Sequence, residues 1–119
     1  MIEKTILDYL TAEMYPIPVL MEHPEYEPNP TFNPVKYVFV EKTGSSRSNH
    51  ICTAMITIQS YGATLYEAAA LNEQVKAAMY NATELNRITR VDLNSDYNYT
   101  DETTKRPRYQ AVFDVTHYE

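Results

Sequence analysis

Three histidines, one cysteine and a cluster of serines are the side chains whose types allow metal binding or nucleophilic chemistry. His23 stands in Glu22-His23-Pro24-Glu25, where two carboxylates flank an imidazole. Residues 23–34 hold Pro24, Pro28, Pro30 and Pro34 and read as an extended, exposed connector. Such a segment holds ligands poorly, and a metal site demands fixed geometry, so no metal is expected. His50 and His117 have no second ligand at helical or other recognised spacing. Cys52 has no partner for an internal disulfide and falls among alanine and isoleucine, where a small thiol is packing material. Ser45, Ser46 and Ser48 lie in no G-x-S-x-G turn. The carboxylate pairs Asp8 with Glu13, Glu67 with Glu73 and Asp101 with Glu102 read as solvated surface. Asn81-Ala82-Thr83 and Asn98-Tyr99-Thr100 match a glycosylation pattern but follow no secretory signal. The residues point to no catalytic site and no cofactor.

The elements that would carry these residues are legible from periodicity. Along residues 51–61, Cys52, Ala54, Ile56 and Ile58 alternate with Ile51, Thr53, Met55, Thr57 and Gln59, which is the pattern of a half-buried strand. After Gly62 the period changes to that of a helix, with Thr64, Ala68, Leu71, Val75, Ala78 and Ala82 on one stripe. This strand and helix form the expected spine. Ahead of them, Ile2, Ile6, Leu7 and Leu10 predict a helix over 2–13, stopped by Pro16 and Pro18. Residues 17–21 read as a short edge strand. Residues 36–42 alternate as a strand, and 43–48, TGSSRS, read as a polar hairpin loop. Residues 84–90 form a transition, and strands are predicted over 90–98 and 109–118. The order is α-β-β-β-α-β-β. It predicts an α+β fold, one domain over 1–119, with about five mostly antiparallel strands and two helices packed on one face. A strand over 51–61 spans about 36 Å. That exceeds what a small core needs, so part of the hairpin is expected to project.

Composition narrows the classes of function. The formal net charge of −6 disfavours tight binding to nucleic acid. Two glycines leave little material for a phosphate-cradling loop. No apolar run approaches the ~20 residues that cross a bilayer, and the N-terminal MIEKTILDYL lacks the pattern of a signal peptide. Eleven tyrosines supply amphipathic contact surface of the kind enriched at protein interfaces. Basic charge gathers in two places: Lys42, Arg47 and His50 around the hairpin, and Lys105, Arg106 and Arg108 before the last strand. These six residues are the candidates for docking onto an acidic protein surface, including another copy of the chain.

The stretches FVEKTGSSRSNHI, ITIQSYGATLYEAAALNEQVKAAM and LNSDYNYTDETTKRPRYQAVFDVTHY, with the order of elements, resemble the tail terminator family of long-tailed bacteriophages and prophages. This family is also called tail-to-head joining or tail completion protein. The resemblance implies a hexameric ring in the virion, assembled in the host cytoplasm. The ring would cap the tail tube, meeting the major tail tube protein on one side and a head-completion or connector protein on the other. DNA would pass through it without specific binding, and a ring of acidic chains would keep it from sticking. No membrane and no catalytic residue are implied. The alternatives are another neck component, such as a head-closure or minor tail protein, and a small-molecule-binding or hydrolytic α+β domain, which would need a pocket with convergent polar groups.

Overall fold

A computed structural model describes residues 1–23, 36–103 and 105–118. Most of the connector expected over 23–34 therefore lies outside the described residues. Helix α1 (Ile2–Met14) leads to strand β1 (Val19–Leu20), and a long hairpin follows, β2 (Tyr37–Ser48) and β3 (Ile51–Tyr61). Helix α2 (Leu65–Tyr80) runs into a 3-10 turn at Asn81–Glu84, and strands β4 (Ile88–Asn98) and β5 (Arg108–Tyr118) close the chain. The fold is α+β, as the periodicity predicts. The strands form one sheet in the order β1-β2-β3-β5-β4. All neighbours pair antiparallel except β1, which adds to the edge of β2 in parallel, Val19 opposite Val38.

Strand β3 alternates as its sequence requires. Ala54, Ile56 and Ile58 are fully buried on the face that the helices cover. They meet Val38 and Val40 of β2 and Ala111, Phe113 and Val115 of β5 in the main core. Helix α1 contributes Ile2, Ile6, Leu10 and Met14, one residue per turn at spacing four. Helix α2 contributes Ala68, Leu71, Val75, Ala78 and Met79. Each fully buried leucine or isoleucine of this layer stabilises the fold by about 1.5–3 kcal/mol.

Polar contacts fix how the helices lie. The Asn72 side chain, almost wholly buried in α2, donates to Asp96 Oδ2 of β4 at 3.0 Å. Lys76 Nζ reaches the same oxygen at 3.0 Å and Glu73 at 2.9 Å. These hydrogen bonds, first Glu73 and then Asp96, hold the Lys76 ammonium above its ordinary pKa. Tyr9 of α1 donates to the carbonyl of Ala78 at 2.7 Å, tying the two helices together.

Two turns depart from the sequence reading or sharpen it. The stretch 43–48 is not a loop: β2 continues through it and pairs residue by residue with β3 to Ser48 opposite Ile51. The turn shrinks to Asn49 and His50, both with positive φ, 52° and 69°. Two left-handed central residues match the right-handed twist of a two-residue hairpin, and asparagine tolerates that conformation. Thr43 is the extra residue of a bulge between Lys42 and Gly44, and its hydroxyl lies 3.0 Å from that of Thr57. The polarity of Thr43 to Ser48 therefore marks an exposed strand, not a break in it.

At Gly62 the constraint is space rather than φ. A Cβ there would lie 2.7 Å from the backbone nitrogen of Ala68 and 2.9 Å from Glu67 Cβ. The glycine lets β3 run directly under the first turn of α2. Thr64 caps that turn by accepting from Glu67 N at 3.1 Å, while Glu67 Oε2 accepts from Ala63 N at 3.0 Å. Replacing Gly62 with alanine forces backbone to move and should cost about 1–3 kcal/mol. Urea unfolding of G62A measures this directly, and wild-type stability would show that the junction has room to spare.

Candidate functional site

The molecule extends 49 × 23 × 22 Å, with the Asn49–His50 turn at one end and the β4–β5 connection at the other. The two basic groups read from the sequence fall at these opposite ends.

At the far end, Arg106 and Arg108 turn inward. The sheet face without helices carries a second, smaller cluster of Tyr37, Phe39 and Tyr61. Tyr37 and Tyr61 stack with centroids 4.3 Å apart. Arg106 sits over both rings, 5.4 Å from Tyr37 and 5.1 Å from Tyr61. The Arg108 guanidinium lies 4.4 Å from the Tyr99 ring and donates through Nη1 to the Tyr61 hydroxyl at 3.0 Å. Its Nε donates to the Tyr99 carbonyl. The chain of hydrogen bonds continues from Tyr61 to Gln59 at 2.9 Å, from Gln59 to Gln110 at 2.9 Å and from Gln110 to Tyr97 at 2.5 Å. Guanidinium groups over tyrosine faces are attractive, and more so when shielded from water. This set clasps the β4–β5 connection onto the sheet. Of the three basic residues here, Lys105 alone is exposed, with φ of 59°.

His23 completes the clasp from the β1 side. Its ring stacks on Phe39 with centroids 3.8 Å apart, and Nδ1 lies 3.3 Å from the Tyr37 hydroxyl. Partial burial against Phe39, then the charges of Arg108 and Arg106, hold the imidazole below its ordinary pKa of 6.5. Burial, reinforced by Tyr61, pushes the Tyr37 hydroxyl well above its ordinary value.

At the hairpin end, Lys42 and Arg47 line a cleft of about 570 Å³ between the start of α1 and the distal sheet. Arg87, which the sequence reading passed over, lines it as well, with Cys52 and Ala54 among its apolar lining. Lys42 lies 3.7 Å from Glu3. His50 is in the turn itself, outside the cleft lining. Cys52 is half-buried here and not sealed in the core.

A third surface escaped the sequence reading because its apolar content is low. On the outer side of α2, Tyr66, Ala70, Glu73, Ala77 and Tyr80 are all exposed at spacings of four, three, four and three residues. Tyr66 is 82% and Tyr80 52% exposed. Small residues between two tyrosines on a helix seam allow close approach of another backbone. The inward-facing stripe masks this seam in a hydrophobicity pattern; only burial separates the two. Among the described residues no three histidine, cysteine or acidic side chains converge on a metal geometry, and no helix is long and apolar enough to cross a membrane. Protein-family models give no match to the chain, and curated protein sequences give none either.

The clasp predicts a pH effect. The folded-state pKa of His23 lies below 6.5, so the unfolded chain takes up a proton that the folded chain resists. Stability from this residue is complete above pH about 6.5 and is lost as pH falls through that value toward the folded pKa. Between pH 7.5 and 5.5 the wild type should therefore lose more stability to urea than His23→Phe. Parallel losses in the two proteins would remove His23 from the account.

Proposed function

We propose that the chain is a structural assembly protein, a tail terminator of a long-tailed phage or prophage that works as a hexameric ring between tail tube and head. The observation that carries the assembly reading is the outer seam of α2. Tyr66 and Tyr80 frame Ala70 and Ala77 there, and all four are exposed. Large exposed aromatics next to small side chains are the composition of a contact surface rather than of a solvated helix. A seam on one side of an elongated chain contacts a different patch on the next copy, and such head-to-tail contacts close into rings when the rotation allows. The long exposed hairpin supplies a second contact element, with Arg47 beside its tip. The narrower assignment to the terminator family rests on the resemblance of residues 39–51, 56–79 and 93–118.

The acidic net charge of −6 suits a ring traversed by DNA, since like charge lowers sticking along the passage. Electron microscopy of the purified protein, alone and with tail tubes, should show six-fold rings. Arg47→Glu should leave the monomer folded and impair ring formation or tail joining. A chain that stays monomeric in both settings, or an Arg47→Glu phage with full infectivity and normal tail length, contradicts the proposal.

A further inference from the structure

The outer seam of α2 and the face of the sheet away from the helices lie on opposite sides of the molecule. Tyr66, Ala70, Glu73, Ala77 and Tyr80 point away from the stripe of Ala68, Leu71, Val75 and Met79 that packs into the core. The helices cover the sheet face of Ala54, Ile56 and Ile58, so Ile51, Thr53 and Met55 alternate onto the other face. Ile51 and Met55 are exposed there, and so is Tyr118 of β5, opposite Ile51. Between these larger side chains Thr53 and Thr116 form a low paired row, and Arg90 of β4 stands next in that row.

Neither surface suits its own copy. The seam is symmetric about Glu73, so two seams related by a two-fold axis through their centres set Glu73 against Glu73. On the sheet face Asp92 lies opposite Asp114, and face-to-face packing would bring two such carboxylate pairs together. Like charges set against each other at a contact cost affinity. The two surfaces suit one another better. Ile51 and Met55 stand about 13 Å apart along β3, and Ala70 and Ala77 stand about 10 Å apart along α2. With the helix laid along β3, the two large side chains of the strand meet the two alanines of the seam. Glu73 then falls between them at Thr53, on the row that holds Arg90. Both side chains are within reach of a neighbour, Glu73 being 70% and Arg90 71% exposed. Each keeps its partner within the chain, Lys76 at 2.9 Å and Asp92 at 2.6 Å. Contact of Glu73 with Arg90 joins these exposed pairs into one alternating row and breaks neither.

We infer that the open sheet face is occupied by the outer seam of α2 from a second copy of this chain, in a head-to-tail contact centred on Glu73 and Arg90. The inference rests on the assembly reading and names both sides of its contact. Each copy offers a seam to one neighbour and a sheet face to the other, and the rotation between neighbours sets how many copies close a ring.

Crosslinking of single-cysteine variants tests it. Thr53→Cys and Ala70→Cys, each made together with Cys52→Ala, are treated with a short bismaleimide separately and as a mixture. Ala70 lies one turn from the centre of the contact whichever way the helix runs. The product joining the two variants should exceed each self-linked product about tenfold or more. Predominant self-linking of Ala70→Cys shows seam on seam, predominant self-linking of Thr53→Cys shows face on face, and either overturns the inference. So does the absence of any linked product. In sedimentation, Glu73→Lys and Arg90→Glu should each weaken self-association about tenfold, and the double variant should recover most of it. No recovery in the double variant overturns the pairing at the centre. Matching melting curves confirm that the variants are folded. Six-fold rings without the joined product sink this contact alone, and the joined product in open chains sinks the ring alone.

Discussion

Strand β3 makes backbone hydrogen bonds on both sides along its length, to β2 and to β5, from Ile51 to Tyr61. This double ladder is the constraint from which the rest of the molecule follows. A strand held on both sides cannot shift by one residue without moving Ala54, Ile56 and Ile58 out of the core. The register therefore dictates which residues of β2 and β5 meet the helices. It also dictates which end of the other face carries Thr57, Gln59 and Tyr61, all buried.

That second face divides the molecule along its long axis. At one end the aromatic and arginine clasp seals it; toward the other, Met55 and Ile51 are exposed. The polar network of Tyr61, Gln59, Gln110 and Tyr97 is continuous, so each buried amide or hydroxyl in it has a partner. Among the described residues, no such aromatic and arginine cluster lies on that face of the distal half of the hairpin. This half holds its shape through strand pairing, so the contact proposed for the hairpin lies away from the clasp.

Much of this was legible in the sequence. Period-two alternation located β3, β2 and β5, and the four-residue spacing of Ile2, Ile6 and Leu10 located α1. What was not legible has identifiable causes. Thr43 to Ser48 carries small polar side chains that a loop and an exposed strand share, so polarity alone could not separate them. Arg106 and Arg108 read as surface charge because nothing local reveals that a stacked tyrosine pair waits underneath. Arg87 is separated in sequence from Lys42 and Arg47, and only the return of the chain through α2 brings the three to one cleft. Gly62 was legible as a turn, but its role as a spacer under Ala68 depends on the path of the helix.

Amide hydrogen exchange, residue by residue, on the isolated chain and on the proposed assembly tests the central claim most directly. The account predicts the slowest exchange in the isolated chain at Ile56, Thr57, Ile58 and Gln59, where β3 is paired on both sides and buried on both faces. Residues 44–48 should exchange much faster and gain protection on assembly. Uniform protection along the whole hairpin, or no change in residues 44–48 on assembly, would contradict the division of the molecule into a stabilising end and a contact end.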